Sequence, residues 1–302
     1  MKQAISRFAS ENEKKEYVLS VERAFEQALD DKVAEILSGN LPRILLLAGP
    51  TCAGKTTMAN KLVFELAERG KHVQVVSFDD FFLDREQLDQ NARARGCTID
   101  FDSPAAIDLQ ELSRCVAEIL SGGQICLPVF DFKTGKRSAS RTIEADDQAV
   151  FLFEGIQAVY PEVTTLFAGH SFCSIFVSVE TPLLVGNSVF SPEEIRFFRR
   201  LVRDHRFRGA TPAFTFFLWE SVRENETRNI LPYAPACDFT FNTVIDYEIS
   251  MLRPHLLPLL SQIGSDDPHK EKAESMLASL ALIDDIDECY LPEHSMYHEF
   301  LG

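Results

Sequence analysis

The chain has 302 residues, is 45% apolar and carries a formal net charge of −16. That length accommodates one large α/β domain or two small ones, and the apolar share suffices for a full core. The acidic balance argues against wrapping nucleic acid, which needs a basic footprint, and no apolar run reaches membrane-spanning length.

Ser10 and Glu13 form a capping box that opens an amphipathic helix over 10–38. Tyr17, Val21, Phe25, Leu29, Val33 and Ile36 recur along it at helical spacing, and Gly39 is its stop. RILLLAG (43–49) reads as a buried strand, 55–69 as a helix closed by Gly70, and HVQVVSF (72–78) as a second strand. Ser103-Pro104 supplies the cap and first turn of a helix that runs to the Gly122-Gly123 stop. Residues 124–132 are extended, KTGKRSASR (133–141) is a polar loop, and AVFLFEG (149–155) and CSIFVSV (173–179) are buried strands.

A second capping box, Ser191 to Glu194, opens an arginine-rich helix, and Thr211-Pro212 opens another with Phe214, Phe217, Leu218 and Val222 on its core face. FTFN (239–242) is a short strand and 246–262 a helix. Strands alternating with helices in this way predict an α/β fold with a mostly parallel sheet flanked by helices. The expected organisation is a helical extension over 1–40, a main domain over 41–262, and an acidic, partly helical tail over 263–302 packed on that domain.

Cys52, Cys97, Cys115, Cys126, Cys173, Cys237 and Cys289 are scattered, odd in number and without CxxC spacing. That usage predicts reduced thiols in a cytoplasmic protein, without a disulfide frame or zinc knuckle. The first fifteen residues hold no apolar signal core. His294 and His298 have a metal-like i,i+4 spacing but no third ligand nearby, so a surface helix is the expected role.

GPTCAGKT (49–56) matches G-x-x-x-x-G-K-[ST] between a predicted strand and a predicted helix, the context this phosphate loop requires. Gly49, Pro50, Thr51, Cys52, Ala53, Gly54, Lys55, Thr56 and Thr57 are the candidate nucleotide site. The glycines let backbone N–H groups converge on a phosphate at a helix N-terminus. Lys55 is placed to reach the β- and γ-phosphates, and Thr56 to offer its hydroxyl to Mg²⁺. The bland alternative is a glycine-rich turn with an exposed lysine.

Asp79 and Asp80 follow the end of the second strand, as the phosphate loop follows the first, so the two should share one cleft. A carboxylate facing a γ-phosphate binds Mg²⁺ or takes the proton of an attacking hydroxyl. Capping the next turn is the competing role. Arg196, Arg199, Arg200, Arg203, Arg206 and Arg208 stripe one helix, which in an acidic chain points to a specific anion. The competing role there is a solvated face held by pairs with Glu193 and Asp204.

GPTCAGKTT, SFDDFF, DFDSPAAID, LPVFDFKTGKR, FLFEGI and RRLVRDHRFRG occur in that order. Over residues 43–260 the chain thereby resembles the uridine kinases and their phosphoribulokinase relatives, above all bacterial uridine-kinase-related nucleoside kinases. The resemblance implies a P-loop NTPase with a lid helix near 191–211, ATP and Mg²⁺ as cofactors, and transfer of the γ-phosphoryl to a primary hydroxyl of a nucleoside. It implies Asp79 as general base, Asp80 as a supporting group or Mg²⁺-water ligand, and Glu154 as an acid near Mg²⁺. It implies Asp102 as acceptor from the ribose hydroxyls, Phe82, Phe130 and Arg137 around the acceptor, and Arg200, Arg203 and Arg208 on the phosphates.

The pattern departs at Phe130, Gly135 and Ala210, where relatives that accept pyrimidine nucleosides carry tyrosine, histidine and, in several members, arginine. The transfer machinery is thus expected intact and the base pocket altered, since a site without polar contacts to a base edge discriminates weakly. A phosphoribulokinase- or pantothenate-kinase-like activity, drawing on Lys133 and Lys136, is the second reading, and a non-catalytic nucleotide-binding regulator the third. The expected partner is a small-molecule acceptor, with no nucleic acid and no membrane; a homo-oligomer is left open.

Overall fold

The computed structural model describes residues 1–95, 101–146 and 148–302. Cys97 and the first residue of DFDSPAAID fall outside them. In chain order the elements begin with β1 (Lys2–Ala4), α1 (Glu11–Ile36), β2 (Ile44–Ala48), α2 (Lys55–Glu68), β3 (His72–Ser77), α3 (Arg85–Arg95) and α4 (Leu109–Ser121). They continue with β4 (Gly123–Asp131), β5 (Lys136–Ala145), β6 (Ala149–Glu154), α5 (Pro161–Thr164), β7 (Phe172–Ser178), β8 (Leu183–Val185) and β9 (Ser188–Phe190). The last are α6 (Pro192–Arg208), α7 (Pro212–Asn225), β10 (Phe239–Asn242), α8 (Glu248–Ser261), α9 (Lys270–Leu280) and α10 (His298–Leu301).

Five strands form a parallel sheet in the order β10-β7-β2-β6-β3. β2 is apolar at every position and buried at every position, as a central parallel strand must be. Its side chains alternate between two cores. Leu45 and Leu47 meet Leu29 and Val33 of α1 and Met58 and Leu62 of α2. Ile44 and Leu46 join the opposite cluster with Leu112, Val116 and Ile119 of α4. Each such fully buried aliphatic side chain is worth roughly 1.5–3 kcal/mol, so the N-terminal helix is bound firmly to the sheet. A third cluster unites α6, α7, α8 and α9 with Tyr297 and Phe300 near the C-terminus.

Several boundaries differ from the expectation. Ser103 caps only a 3-10 turn, Pro104–Ala106; the chain then extends at Ile107, and α4 starts afresh with Asp108 as its N-cap, accepting from Glu111 N at 3.0 Å. The polar segment after Asp131 is not a loop throughout. From Lys136 it is β5, antiparallel to β4, and only Ile143 and Ala145 of β5 are buried. An exposed two-stranded ribbon needs little apolar alternation, which is why the pattern hid it.

In α1, Glu13 reaches Ala9 N and not Ser10 N, and the cap residue is Leu37 ahead of Gly39. The buried face of α7 is Thr215, Phe216, Trp219 and Val222, while Phe214 and Phe217 are exposed. β1, which pairs with β8, and the β8-β9 hairpin are three-residue strands below the reach of a periodicity argument. Among the described residues no helix is long and apolar enough to cross a membrane.

Candidate active site

The loop after β2 is held from outside by its carbonyls. Arg196 Nη1 donates to Thr51 O at 3.2 Å, Arg199 Nη1 to Cys52 O at 3.2 Å, and Thr243 Oγ1 to Ala53 O at 2.7 Å. Lys55 Nζ folds back onto Gly49 O and Pro50 O at 2.9 and 3.1 Å. With five successive carbonyls engaged, the loop's N–H groups at the N-terminus of α2 are the groups free to serve an anion, as such helix starts do. Gly49 is required by space: a Cβ there would lie 2.1 Å from the Val177 carbonyl oxygen. Cys52 adopts φ 57, a left-handed conformation uncommon outside glycine and sustained here by the clamps on either side. Thr56 is exposed and Thr57 half-buried at the start of α2.

The arginine helix divides into two sets. Arg196 and Arg199 are buried scaffold. Arg196 pairs with Glu226 through two bonds of 2.6 and 2.7 Å, and Arg199 pairs with Glu248 at 2.8 Å. Arg200, Arg203 and Arg208 converge on the single buried carboxylate of Asp204, at 3.1, 3.0 and 3.4 Å. Three cations on one anion leave an excess of positive charge. Arg203 and Arg208 are also in electrostatic contact with Cys52, so that excess lies beside the phosphate loop. Ile195, Phe197, Phe198, Leu201 and Val202 bury α6 in the core; its last turn, His205 to Arg208, is the exposed part of the expected lid. Glu193 pairs with Arg223 of α7 and not with a partner on its own helix.

Asp79 stands beyond the C-terminal end of β3, and Glu154 ends the neighbouring β6, in register with Ser77. Ser77 Oγ donates to Glu154 Oε1 at 2.9 Å and accepts from Asp79 N at 3.4 Å, tying the two acids together. Gln157 Nε2 donates to Asp79 Oδ1 at 3.4 Å. Burial, and then the Glu154 charge, push the Asp79 carboxyl above its ordinary range; burial pushes the Lys55 ammonium down, opposed by Glu154. Asp80 Oδ1 accepts from Phe130 N at 3.2 Å, which ties the acid pair to β4.

On the acceptor side, Phe82, Phe101, Phe130 and Phe132 form a chain of edge-to-face contacts with centroids 5.2–6.3 Å apart. Phe82 and Phe130 are buried, and Phe101 and Phe132 exposed. The Asp102 carbonyl accepts from Tyr160 Oη at 2.6 Å, and Tyr160 Oη in turn accepts from Asn225 Nδ2 at 3.1 Å. Arg137 is paired with Asp108 at 2.8 Å, so it orders the β4-β5 ribbon against α4. Gly135 has φ 68, and a Cβ there would lie 2.9 Å from the Arg85 side chain. The turn therefore demands glycine at this position.

Sequence reasoning missed Gln157, Thr243, Glu226, Glu248, Phe101 and Phe132. The first four are polar residues buried among apolar ones, a signal visible only with the fold; the two phenylalanines sit inside quoted motifs and pass as core residues.

A sequence model described as the phosphoribulokinase / uridine kinase family matches residues 44–250. The chain belongs to that family. A protein named uridine kinase from Ureaplasma urealyticum is 27% identical over 186 residues, 62% of this chain and 80% of the relative. Another so named, from Halalkalibacterium halodurans, is 30% identical over 194 residues, 64% of this chain and 79% of the relative. The solved YGR205w protein superposes with a TM-score of 0.55 at 14% identity, covering 76% of this chain and 95% of its own, which shows the shared fold. Membership in this family makes the chain an ATP-dependent kinase with a small-molecule acceptor.

Mg²⁺ fits the donor set. Thr56 and Glu154 offer hard oxygen ligands, and the described residues hold no cluster of three His, Cys, Asp or Glu that would cage a metal alone. Mg²⁺ is bound in this way, through one or two side chains with phosphate and water completing the shell. The mutual repulsion of Asp79 and Glu154, expressed in the raised Asp79 carboxyl, is a further reason for a cation there.

Proposed function

We propose that this kinase phosphorylates a primary hydroxyl of a nucleoside or a closely related small alcohol. The observation that carries the reading is the placement of Asp79 beside Glu154 and in electrostatic contact with Lys55. In this reading the loop amides and Lys55 hold the β- and γ-phosphates, and Thr56 and Glu154 hold Mg²⁺. The metal, when bound, offsets charge on the transferring phosphoryl. Asp79, held by Gln157 and by Ser77, takes the acceptor hydroxyl proton as that oxygen bonds to the γ-phosphorus and the bond to ADP breaks. Asp102 orients the sugar by accepting from its vicinal hydroxyls. Arg200, Arg203 and Arg208 supply charge to the transferring group, and the exposed last turn of α6 is the part able to close over it.

The relatives named uridine kinase favour a nucleoside. The phenylalanine chain favours an acceptor recognised by packing, because its rings offer faces and no hydrogen-bonding edge. An acceptor with its own phosphate is less well supported, since Lys133 and Lys136, the cations it would draw on, are exposed. ADP release measured across purine and pyrimidine nucleosides, sugars and sugar phosphates tests the proposal. Acceptor-dependent turnover with nucleosides supports it; turnover confined to phosphorylated sugars would replace it with the phosphoribulokinase-like reading. ADP formation with no acceptor would leave it without support.

A further inference from the structure

The C-terminal segment 293–302 brings a carboxylate to the phosphate site. Met296 is buried, and its Sδ lies 2.6 Å from where a Cβ on Gly54 would stand, so the segment rests on the phosphate loop. Tyr297 donates to Glu248, the same carboxylate that fixes Arg199. Arg206 donates to the Leu301 carbonyl, which holds the segment against the arginine helix as well. Glu299 sits between these anchors. Its Oε2 is buried yet accepts no hydrogen bond among the described residues, an arrangement that costs free energy unless opposite charge compensates it. The compensating charges are Lys55 and Arg203, both of which feel the Glu299 carboxylate. These are the cations assigned to the nucleotide phosphates.

We propose that Glu299 is a counter-charge built into the phosphate site, which competes with nucleotide phosphate for Lys55 and Arg203 and so weakens the hold on ADP. The proposal rests on the kinase reading above. With the site empty, the carboxylate keeps the two cations compensated. With phosphate present, it becomes a like charge in the same site, and its repulsion grows with the number of phosphates. A kinase limited by product release gains from such a residue, and product release limits turnover in many enzymes.

The test is calorimetric titration of adenosine, AMP and ADP into wild type, Glu299→Gln and Glu299→Ala, each with EDTA and with Mg²⁺. Both neutral variants should bind ADP about tenfold tighter at low salt, with a smaller gain at high salt and no change for adenosine. Two variants are used so that failure of one to fold leaves a measurement. Glu299→Asp, which keeps the charge, should retain the wild-type affinity. Glu293→Gln, an equal change of net charge at an exposed tail position, should alter nothing. In a Lys55→Ala background most of the gain should vanish. Unchanged or weaker ADP binding in EDTA overturns the proposal, as does equal tightening of adenosine, which would mark a packing effect. A loss confined to Mg²⁺ would make Glu299 a metal ligand and also overturn it. Wild type that binds no adenine nucleotide would sink the kinase reading first, a result read before any variant is made.

Discussion

Arg199 and Glu248 are joined at 2.8 Å with neither side chain exposed, and the same guanidinium carries the Cys52 carbonyl of the phosphate loop. Cutting a buried pair on one side leaves the other charge stranded, at a cost of about 3–5 kcal/mol. Arg199→Met should therefore lose about that much stability in urea denaturation. The fraction that remains folded in the cold should bind ADP more weakly, because the loop has lost a clamp. Undiminished affinity would mean that the loop keeps its shape without this bond.

Lys55→Ala should abolish phosphoryl transfer and weaken ATP binding, since it removes the charge that follows the β- and γ-phosphates. Near-normal turnover would place the phosphate site elsewhere. Its direct hydrogen bonds are to two carbonyls of its own loop, but it also faces Glu154, Glu299 and Asp79, so a thermal melt of the variant accompanies the assay.

Asp79→Asn should lower kcat by ~10²–10⁴ with ATP affinity nearly intact, and Asp80→Asn should cost less. The pH response follows from the raised Asp79 carboxyl. Its folded-state pKa exceeds the unfolded one, so its contribution to stability is complete below the unfolded value and is lost as pH rises through the folded value. At neutral pH the ionised side chain is a burden, and Asp79→Asn should melt higher than wild type there and not at low pH. In wild type, the acid limb of kcat/KM should fall above the ordinary carboxylate range. A limb at the ordinary value, with no gain in melting temperature, would count against Asp79 as the base.

Arg208 is the most exposed of the three arginines on Asp204. Arg208→Gln should leave the melting temperature nearly unchanged and reduce kcat by roughly 10- to 10³-fold, as expected for a donor that meets transition-state charge. Steady-state kinetics beside a thermal melt separates the two effects. Full activity would relegate Arg208 to the solvent.

Gly135→Ala should destabilise the protein by about 1 kcal/mol or more, from the left-handed φ and the crowding by Arg85. Gly135→His should fare worse, so base recognition cannot be restored through this position alone. Phe130→Tyr is the cleaner probe: it should raise kcat/KM for uridine or cytidine relative to purine nucleosides, a ratio in which general damage cancels. An unchanged ratio would mean that Phe130 does not face the base.

The parallel sheet, the phosphate loop and the acids at strand ends were legible because each rests on local signals: apolar runs, glycine spacing and the rule that ligands sit at strand C-termini. The arginine stripe was legible only in half. Arg200, Arg203 and Arg208 do cluster, but nothing in a helical wheel distinguishes them from Arg196 and Arg199, whose partners Glu226 and Glu248 lie 30 and 49 residues onward. The β4-β5 ribbon was hidden by its polarity, and the tail by distance, since Met296 meets Gly54 only in the folded chain.

The clamps on the phosphate loop bear on how the protein is made. They come from Arg196, Arg199 and Thr243, at separations of 145, 147 and 190 residues from the carbonyls they hold. A growing chain folds from its N-terminal side, so the loop leaves the ribosome long before the residues that give it shape. Until Arg196 and Arg199 have emerged, the nascent loop has only the local Lys55 contacts, and until Thr243 follows it lacks the clamp on Ala53. The full set of clamps therefore comes together only after most of the chain has been made, so the finished shape of the loop is a late product of folding.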